Sequence, residues 1–420
     1  LSSRTADATR DVLADFAARS ADLVDFYRDL HAHPEHSWKE HRTAARIADR
    51  LRAAGLEVTE GVGGTGVLGV LRNGDGAVVL LRADMDALPI TEATGLPYAS
   101  TVPGMMHACG HDVHVTCLMA TVEALSRARD AWSGTLLVVA QPAEELGEGA
   151  LAMVRDPAFK TLPRADVALG QHVGPTPVGT ILHKPGLLMS AATTVDVRIF
   201  GRGGHGSSPE VCVDPIVAAA HLVTRLQTIV SRETAPREAA VVTTGMMRAG
   251  TQANVIPDEA LLSLNIRTQS AAARTRILAA IQRVAEAECA ASACPRPPEL
   301  TLSCDFPLTE NDAATDAAVS AVHAELFSAE AVIEHGPLMG SEDFSIFGFP
   351  EHNNGTAVPT NFWFFGGTAW DTWEAAPGET PEEKLATLHG NHTARFAPDA
   401  EPSIQIGTTA LTSAALLYLA

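Results

Sequence analysis

Apolar positions along this chain follow two periods, and the places where one gives way to the other outline the fold. Leu23, Phe26, Tyr27 and Leu30 recur at helical spacing behind Ser20 and Asp22, and Ile47 and Leu51 mark a second helix that Gly55 stops. Short apolar runs follow. Val67–Leu71 reads as a strand, and Val78–Arg82 reads as another that leads into Ala83-Asp84-Met85-Asp86. Thr135–Ala140 leads in the same way into Gln141-Pro142-Ala143-Glu144-Glu145, and Val167–Gly170 into Gln171-His172. Between the first two of these, Val113–Arg129 predicts a helix with Leu118, Val122 and Leu125 on one face, and it leaves Cys109 and His111 in the loop at its start. Strand alternating with helix predicts an α/β domain with a mostly parallel sheet. Three strands that deliver acids or imidazoles at their carboxyl ends mark the sheet edge where such folds bind ligands.

A second unit begins near residue 188. Strand Thr194–Phe200, a Gly-rich turn, helix Asp214–Val230, strands Ala239–Met246 and Ala260–Thr268, helix Ala271–Glu288 and strand Leu300–Cys304 give a β-α-β-β-α-β order. That order predicts a small α+β sheet with two helices on one face. From residue 305 the first domain resumes, with helix Ala313–Leu326, an apolar run Asn361–Gly367 and a final helix Ser403–Leu419. The expected organisation is a domain of residues 1–187 and 305–420 carrying an insertion of residues 188–304. A chain of 420 residues exceeds the size of one compact core, which agrees with two domains.

Composition narrows the function. A net charge of −20 argues against a nucleic-acid binder, which needs Lys and Arg to displace counterions, and against a polybasic membrane anchor. Six cysteines in 420 residues are too sparse for a disulfide framework, so a reducing compartment, the cytoplasm, is expected. No apolar run reaches the length of a membrane span. The opening residues Leu1-Ser-Ser-Arg-Thr-Ala-Asp7 are polar and are not a signal peptide, although the absence of an initiating Met leaves a removed leader open.

The chemistry concentrates in His107-Ala-Cys-Gly-His-Asp112. A thiolate and imidazoles at this spacing suit Zn²⁺, with Mn, Co or Ni as other occupants. Glu144 and Glu145 follow a strand, so one can bind metal while the other moves protons, and together the segments read as metal-assisted hydrolysis. Asp84 and Asp86, two apart, are expected to point the same way and to orient a ligand histidine or tune a metal water. His172 stands at a strand end. His392 lies before the last helix, with His389 as its rival. His31 and His33 resemble ligands by spacing but end a helix at Pro34, which favours a structural role. Gly201-Arg-Gly-Gly-His-Gly206 lacks the Lys-Ser/Thr of a phosphate loop and reads as a turn projecting His205. A cysteine nucleophile with His107 or His111 as base is one alternative. A non-catalytic metal protein is another, and the spare glutamate argues against it.

Ordered motifs along nearly the whole chain resemble the metal-dependent amidohydrolases that include aminoacylases, hippurate hydrolases and auxin-conjugate hydrolases (metallopeptidase family M20, subfamily D). They are His31-Ala-His-Pro-Glu35, Arg82-Ala-Asp-Met-Asp-Ala-Leu-Pro89, His107–Asp112, Gln141–Glu145, Gly203-Gly-His-Gly206, Asn254-Val-Ile-Pro257, Gly340-Ser-Glu-Asp-Phe344, and His392 before Arg395-Phe-Ala-Pro398. The resemblance implies two divalent metal ions held by Cys109, His111, Glu145, His172 and His392, with Glu144 as general acid/base. It implies that Asp86 orients the site, with Asp84 close enough to share the role. It also implies that His205 reaches the scissile carbonyl, and that Asn254 and Arg267 hold the substrate carboxylate. The expected substrate is an N-acyl amino acid, with a dipeptidase or carboxypeptidase as the alternative on the same scaffold. The inserted domain is expected to act as lid and dimerisation surface of a homodimer or homotetramer. Cys109 stands where distant relatives place a bridging aspartate, and His392-Thr-Ala-Arg replaces an expected His-Ser-Pro.

Overall fold

The computed structural model describes residues 2–420, and the chain folds into two compact units. The first comprises residues up to 188, Glu310–Gly336 and Asp343–Ala420, and the second comprises Met189–Thr309 with Pro337–Glu342.

The first unit is built on an eight-stranded sheet among the described residues. Its order is Glu57–Val62, Gly66–Asn73, Gly134–Gln141, Val78–Asp84, Val167–Pro177, Thr360–Thr368, Ile181–His183 and Val332–Glu334. The four central strands run parallel, and antiparallel pairs lie toward both edges. Two of the central strands, VVLLRAD and GTLLVVAQ, are buried almost throughout. Such unbroken apolar runs are what a parallel strand covered on both faces requires. The long helices Phe16–Ala32, His111–Arg127 and Ala400–Leu419 pack with one another beside this sheet. Their closeness depends on Gly407, where a Cβ would lie 2.6 Å from Cys117 Sγ and 2.9 Å from the Phe365 ring.

Three helices open the chain, Ser2–Val12, Phe16–Ala32 and His41–Ala53, one more than the periodicity predicts. The first has only Thr5, Ala6, Thr9 and Val12 buried, so its apolar stripe is too small to register as a period. Two expectations near the site need correction. The helix after the Cys-His segment starts at His111, not at Val113, so His111 is its first residue and only Cys109 lies in the preceding loop. His172 is not beyond a strand end. Its strand continues to Pro177 because Thr360–Thr368 pairs with it throughout, whereas the pairing with Val78–Asp84 stops at Gly170. His172 therefore emerges past the end of one neighbour while remaining held by the other.

The second unit is a four-stranded antiparallel sheet of order Ala240–Ala249, Glu259–Thr268, Ala191–Phe200, Glu299–Phe306. Alternating burial along Glu259–Thr268 turns Leu262, Leu264 and Ile266 toward a core shared with helices Pro215–Thr228 and Ala271–Ala291. Asp214 and Ser270 cap these helices by accepting the N–H groups of Ile216 and Ala273. Pro337–Glu342 joins this unit because Ser190 donates its N–H to Leu338 and Gly340, while Arg267 Nη1 donates to Met339 O and Ser341 Oγ. Nothing in the hydrophobic pattern announces that excursion. No helix among the described residues is long and apolar enough to cross a membrane.

Arg82 is the charge about which the strand ends of the first unit are arranged. Its side chain is fully buried, and it bonds Gln141 Oε1 at 2.8 Å, Asp84 Oδ2 at 2.8 Å and Asp343 Oδ1 at 3.2 Å. Asp343 in turn accepts from Gln141 Nε2 and from the Ala150 N–H. Removing the cation would strand two buried carboxylates. Arg82→Met is therefore expected to destabilise the chain by about 3–5 kcal/mol in denaturant unfolding. A loss below about 1 kcal/mol would show that the network is not needed for folding.

Candidate metal centre

Four segments converge at the carboxyl end of the parallel strands, and each is fixed locally before it contributes a donor. Gly110 caps the His111–Arg127 helix at φ 86, and a Cβ there would lie 2.3 Å from Val173 Cγ1. Only glycine lets the Cys109–His111 turn sit this close to the Val167–Pro177 strand. Ala143 turns the chain after Gln141 with φ 47, ψ 39, a left-handed conformation that costs a residue with a Cβ about 1–2 kcal/mol. His392 also has positive φ, at 65. Its loop is pinned by the His392 N–H to Ala108 O, and by Asn391 Nδ2 donating to Cys109 O and Val173 O.

The donors form two triads that share one sulfur. Cys109, His111 and His172 offer ligand atoms within 4.8 Å of one another, and so do Cys109, Glu145 and His392. Cys109 Sγ lies 3.4 Å from His172 Nε2 and 3.2 Å from His392 Nε2, and Glu145 Oε1 is 3.3 Å from His392 Nε2. All five expected ligands are thus brought together, with His392 rather than its rival His389 at the site.

Tautomers are set by the neighbours. His172 Nδ1 donates to Val173 O at 2.7 Å, so its Nε2 lone pair faces Cys109. His111 Nδ1 donates to Asp86 Oδ1 at 3.2 Å, and its Nε2 is buried with no hydrogen-bond partner. A buried nitrogen without a partner, aimed into a group of carboxylates and a thiol, is what a bound cation would satisfy. The field agrees. Burial alone would lower the His111 pKa, yet Asp84, Asp86 and Glu145 lift it to about 10, which shows how strongly the site draws positive charge. Burial, with Glu145 and Glu144 nearby, pushes the Cys109 thiol well up. A thiol so raised is not an activated nucleophile, and its thiolate needs a cation beside it. His107, one base considered for a cysteine nucleophile, makes no hydrogen bond from either ring nitrogen, and burial drops its pKa to about 4.

Asp84 and Asp86 both face His111 but serve different partners, because the strand ends at Asp84. Asp86 is almost fully buried, and it accepts Ser37 Oγ at 2.7 Å and the backbone N–H groups of Glu144 and Glu145 at 3.2 and 3.1 Å. Burial would raise its pKa, but the His111 and Ser37 hydrogen bonds hold it below the ordinary value. Asp84 accepts from His114 Nδ1 at 2.6 Å and pairs with Arg82. His114 is a site residue that the sequence reading missed. It lies within one turn of His111, and it braces the strand by accepting the Val173 N–H at 2.8 Å. With both nitrogens engaged it has no lone pair left for a metal.

The remaining expected residues lie in the second unit. His205 and Val255 pair across a short ribbon, and Gly206 donates its N–H to Asn254 O. His205 and Asn254 are exposed, and Arg267 is half-buried with its guanidinium on Asn265, Met339 and Ser341. His31 is structural. Its Nδ1 bonds Asp112 Oδ2 at 2.7 Å and its Nε2 bonds Glu92 Oε1 at 3.3 Å.

With this geometry in view, the comparisons with known proteins agree with one another. The family model for peptidase family M20/M25/M40 matches residues 80–387. The chain is 39% identical over 324 residues to a hippurate hydrolase of Campylobacter jejuni, covering 76% of this chain and 82% of that one. It is 34% identical over 378 residues to an N-acetylcysteine deacetylase of Bacillus subtilis, covering 89% and 96%. Among solved structures, the YXEP protein of Bacillus subtilis, described as a dinuclear metal binding peptidase, matches with a TM-score of 0.74 at 30% identity over 95% of this chain and 98% of that one. The chain belongs to peptidase family M20/M25/M40. It is a metal-dependent amide hydrolase, and the dinuclear fold of its relatives together with its candidate ligand groups supports two divalent ions.

The cluster behind the site yields a pH test. Burial would lower the His31 pKa, but Asp112 and Glu92 raise it to about 9, while Glu92 falls to about 2 because its bonds from His31, Thr94 and Ser100 outweigh burial. The raised histidine stabilises fully below its ordinary 6.5, and that contribution is lost as pH rises through about 9. The lowered glutamate stabilises above its ordinary 4.5, and that contribution is lost as pH falls toward about 2. His31→Gln should therefore flatten the fall in unfolding free energy between pH 6.5 and about 9. An unchanged slope would show that His31 carries no proton in the folded state.

Proposed function

We propose that this chain hydrolyses the amide bond of N-acyl amino acids to a carboxylic acid and an amino acid, with Glu144 as general acid/base. The observation that carries the reading is the pair of triads meeting at Cys109 with a second glutamate beside them. Glu144 Oε2 lies 4.0 Å from His111 Nε2, and the Glu144 backbone is tied to Asp86. Metal binding alone needs no base next to a ligand carboxylate, whereas hydrolysis does. The named substrates of the relatives, hippurate and N-acetylcysteine, are N-acyl amino acids, and this supports the substrate class.

The bound ions would acidify water and polarise the amide carbonyl. Glu144 takes the proton from the attacking water and passes it to the leaving nitrogen, so the amine departs uncharged. Asp86 holds the His111 tautomer and the turn that carries Glu144, and Asp84 supports both through His114 and Arg82. His205 is assigned to the carbonyl oxygen, and Asn254 and Arg267 to the substrate carboxylate, on the resemblance. One thiolate, three imidazoles and a carboxylate suit zinc best, with Mn, Co and Ni as competitors. The second unit is assigned the lid and dimerisation roles of a homodimer or homotetramer. Six free cysteines fit a reducing compartment such as the cytoplasm.

A panel of N-acetyl, N-benzoyl and long-chain N-acyl amino acids, with dipeptides alongside, tests this reading. Release from one acyl class, abolished by chelator and restored by Zn, Mn or Co, is expected. Glu144→Gln should retain both ions and lose about 10²–10⁴ in kcat. Hydrolysis of dipeptides alone would make the chain a dipeptidase, and full turnover by Glu144→Gln would remove the proton-transfer role.

A further inference from the structure

The loop Ser37–Glu40 contributes no donor to the triads, yet it reaches the turn that carries the general base. Glu40 is fully buried at the N-cap of the His41–Ala53 helix. A carboxylate at that position ordinarily accepts N–H bonds from its own helix, but this one makes none there. Its Oε1 instead accepts the Ala143 N–H at 2.9 Å, and its Oε2 accepts the Thr65 hydroxyl at 2.5 Å. The next two amides, of Glu144 and Glu145, are both taken by Asp86. Three successive N–H groups of one turn are thus held by two buried carboxylates.

Ala143 is where this turn departs from favourable backbone. It is left-handed, carries a Cβ and is fully buried. Such a residue stays in place only when its surroundings over-determine it. Without the Glu40 carboxylate its N–H would be buried without a partner, and the turn would relax toward a conformation that redirects Glu144.

We infer that Glu40 is a positioning residue for the reaction: its carboxylate holds Ala143 in the left-handed turn that aims Glu144. The inference rests on the reading of Glu144 as the acid/base. Its signature is a loss confined to turnover, because the Glu40 carboxylate bonds Ala143 and Thr65, neither of which is a triad residue.

The test compares Glu40→Ala, Glu40→Gln and Thr65→Val as metal-loaded enzymes, with kcat, KM, bound metal and thermal midpoint measured for each. Glu40→Ala should lose about ten- to a hundredfold in kcat, the scale of a misplaced catalytic group, with KM within about threefold and both ions retained. Glu40→Gln, whose amide oxygen still accepts the Ala143 N–H, should recover most of the turnover. Thr65→Val, which removes only the other bond of the same carboxylate, should lose stability but not kcat. Adding Ala143→Gly to Glu40→Ala should restore part of the kcat, because glycine holds the left-handed turn without help. Unchanged kcat in Glu40→Ala, loss of metal with it, or an equal kcat loss in Thr65→Val would overturn the inference. Glu144→Gln measured alongside separates the two readings. Turnover kept there defeats the acid/base role and the inference with it, whereas turnover lost there but kept in Glu40→Ala defeats the inference alone.

Discussion

The Asp86 carboxylate is the constraint on which the rest of this site depends. It is almost completely buried, and four groups converge on it: the His111 imidazole, the Ser37 hydroxyl and two successive backbone N–H groups. A carboxylate in such surroundings would ordinarily protonate, and it remains ionised because each partner donates to the charged form. One side chain therefore fixes two things. It selects the His111 tautomer that leaves Nε2 bare, and it anchors the backbone of Glu144 and Glu145. The orientation of His111 and that of the Glu144–Glu145 turn are coupled through a single charge.

The surrounding fold makes this coupling rigid. The central strands run parallel, so their carboxyl ends lie along one edge and Asp84, Gln141 and His172 arrive together. A second layer of charge supports the first. Arg82 ties Asp84 to Asp343, and Asp84 holds His114, which in turn holds the backbone beside His172. Buried networks of this kind are costly when incomplete and specific when satisfied. Here the buried charges are paired, and the bare His111 Nε2 points to where a metal ion belongs. The sulfur of Cys109, common to both triads, sets the character of the site. A thiolate is softer than a carboxylate, so a cysteine ligand would favour borderline metals and expose the site to oxidation.

Much of this could be read in the sequence because the chemistry there is local. Cys109 and His111 lie two apart, Glu144 and Glu145 are adjacent, and both pairs follow or precede strong apolar runs. The β-α-β-β-α-β order of the second unit is likewise visible in its periodicity. What escapes is non-local or conformational. Glu40 meets Ala143 across 103 residues, and Ser37 meets Asp86 across 49. No spacing rule connects such positions. His114 is easily overlooked because it resembles one more buried position on an apolar helix, although its distance of three residues from His111 is a usable signal. His172 is expected at a strand end because the unbroken apolar run stops at Gly170, whereas pairing with Thr360–Thr368 carries the strand on to Pro177. Strand pairing, not side-chain polarity, decides where that strand ends.

The two triads share the Cys109 sulfur, and on the proposed reading that sulfur would serve both metal positions. X-ray absorption at the metal edge of enzyme loaded with two cobalt or zinc ions per chain, compared with enzyme loaded with one, tests it most directly. The account predicts a sulfur scatterer at about 2.3 Å in the average shell of the singly loaded enzyme, persisting at one sulfur per ion when the second ion is added. A sulfur count that halves on adding the second ion, or shells built only from nitrogen and oxygen, would contradict it.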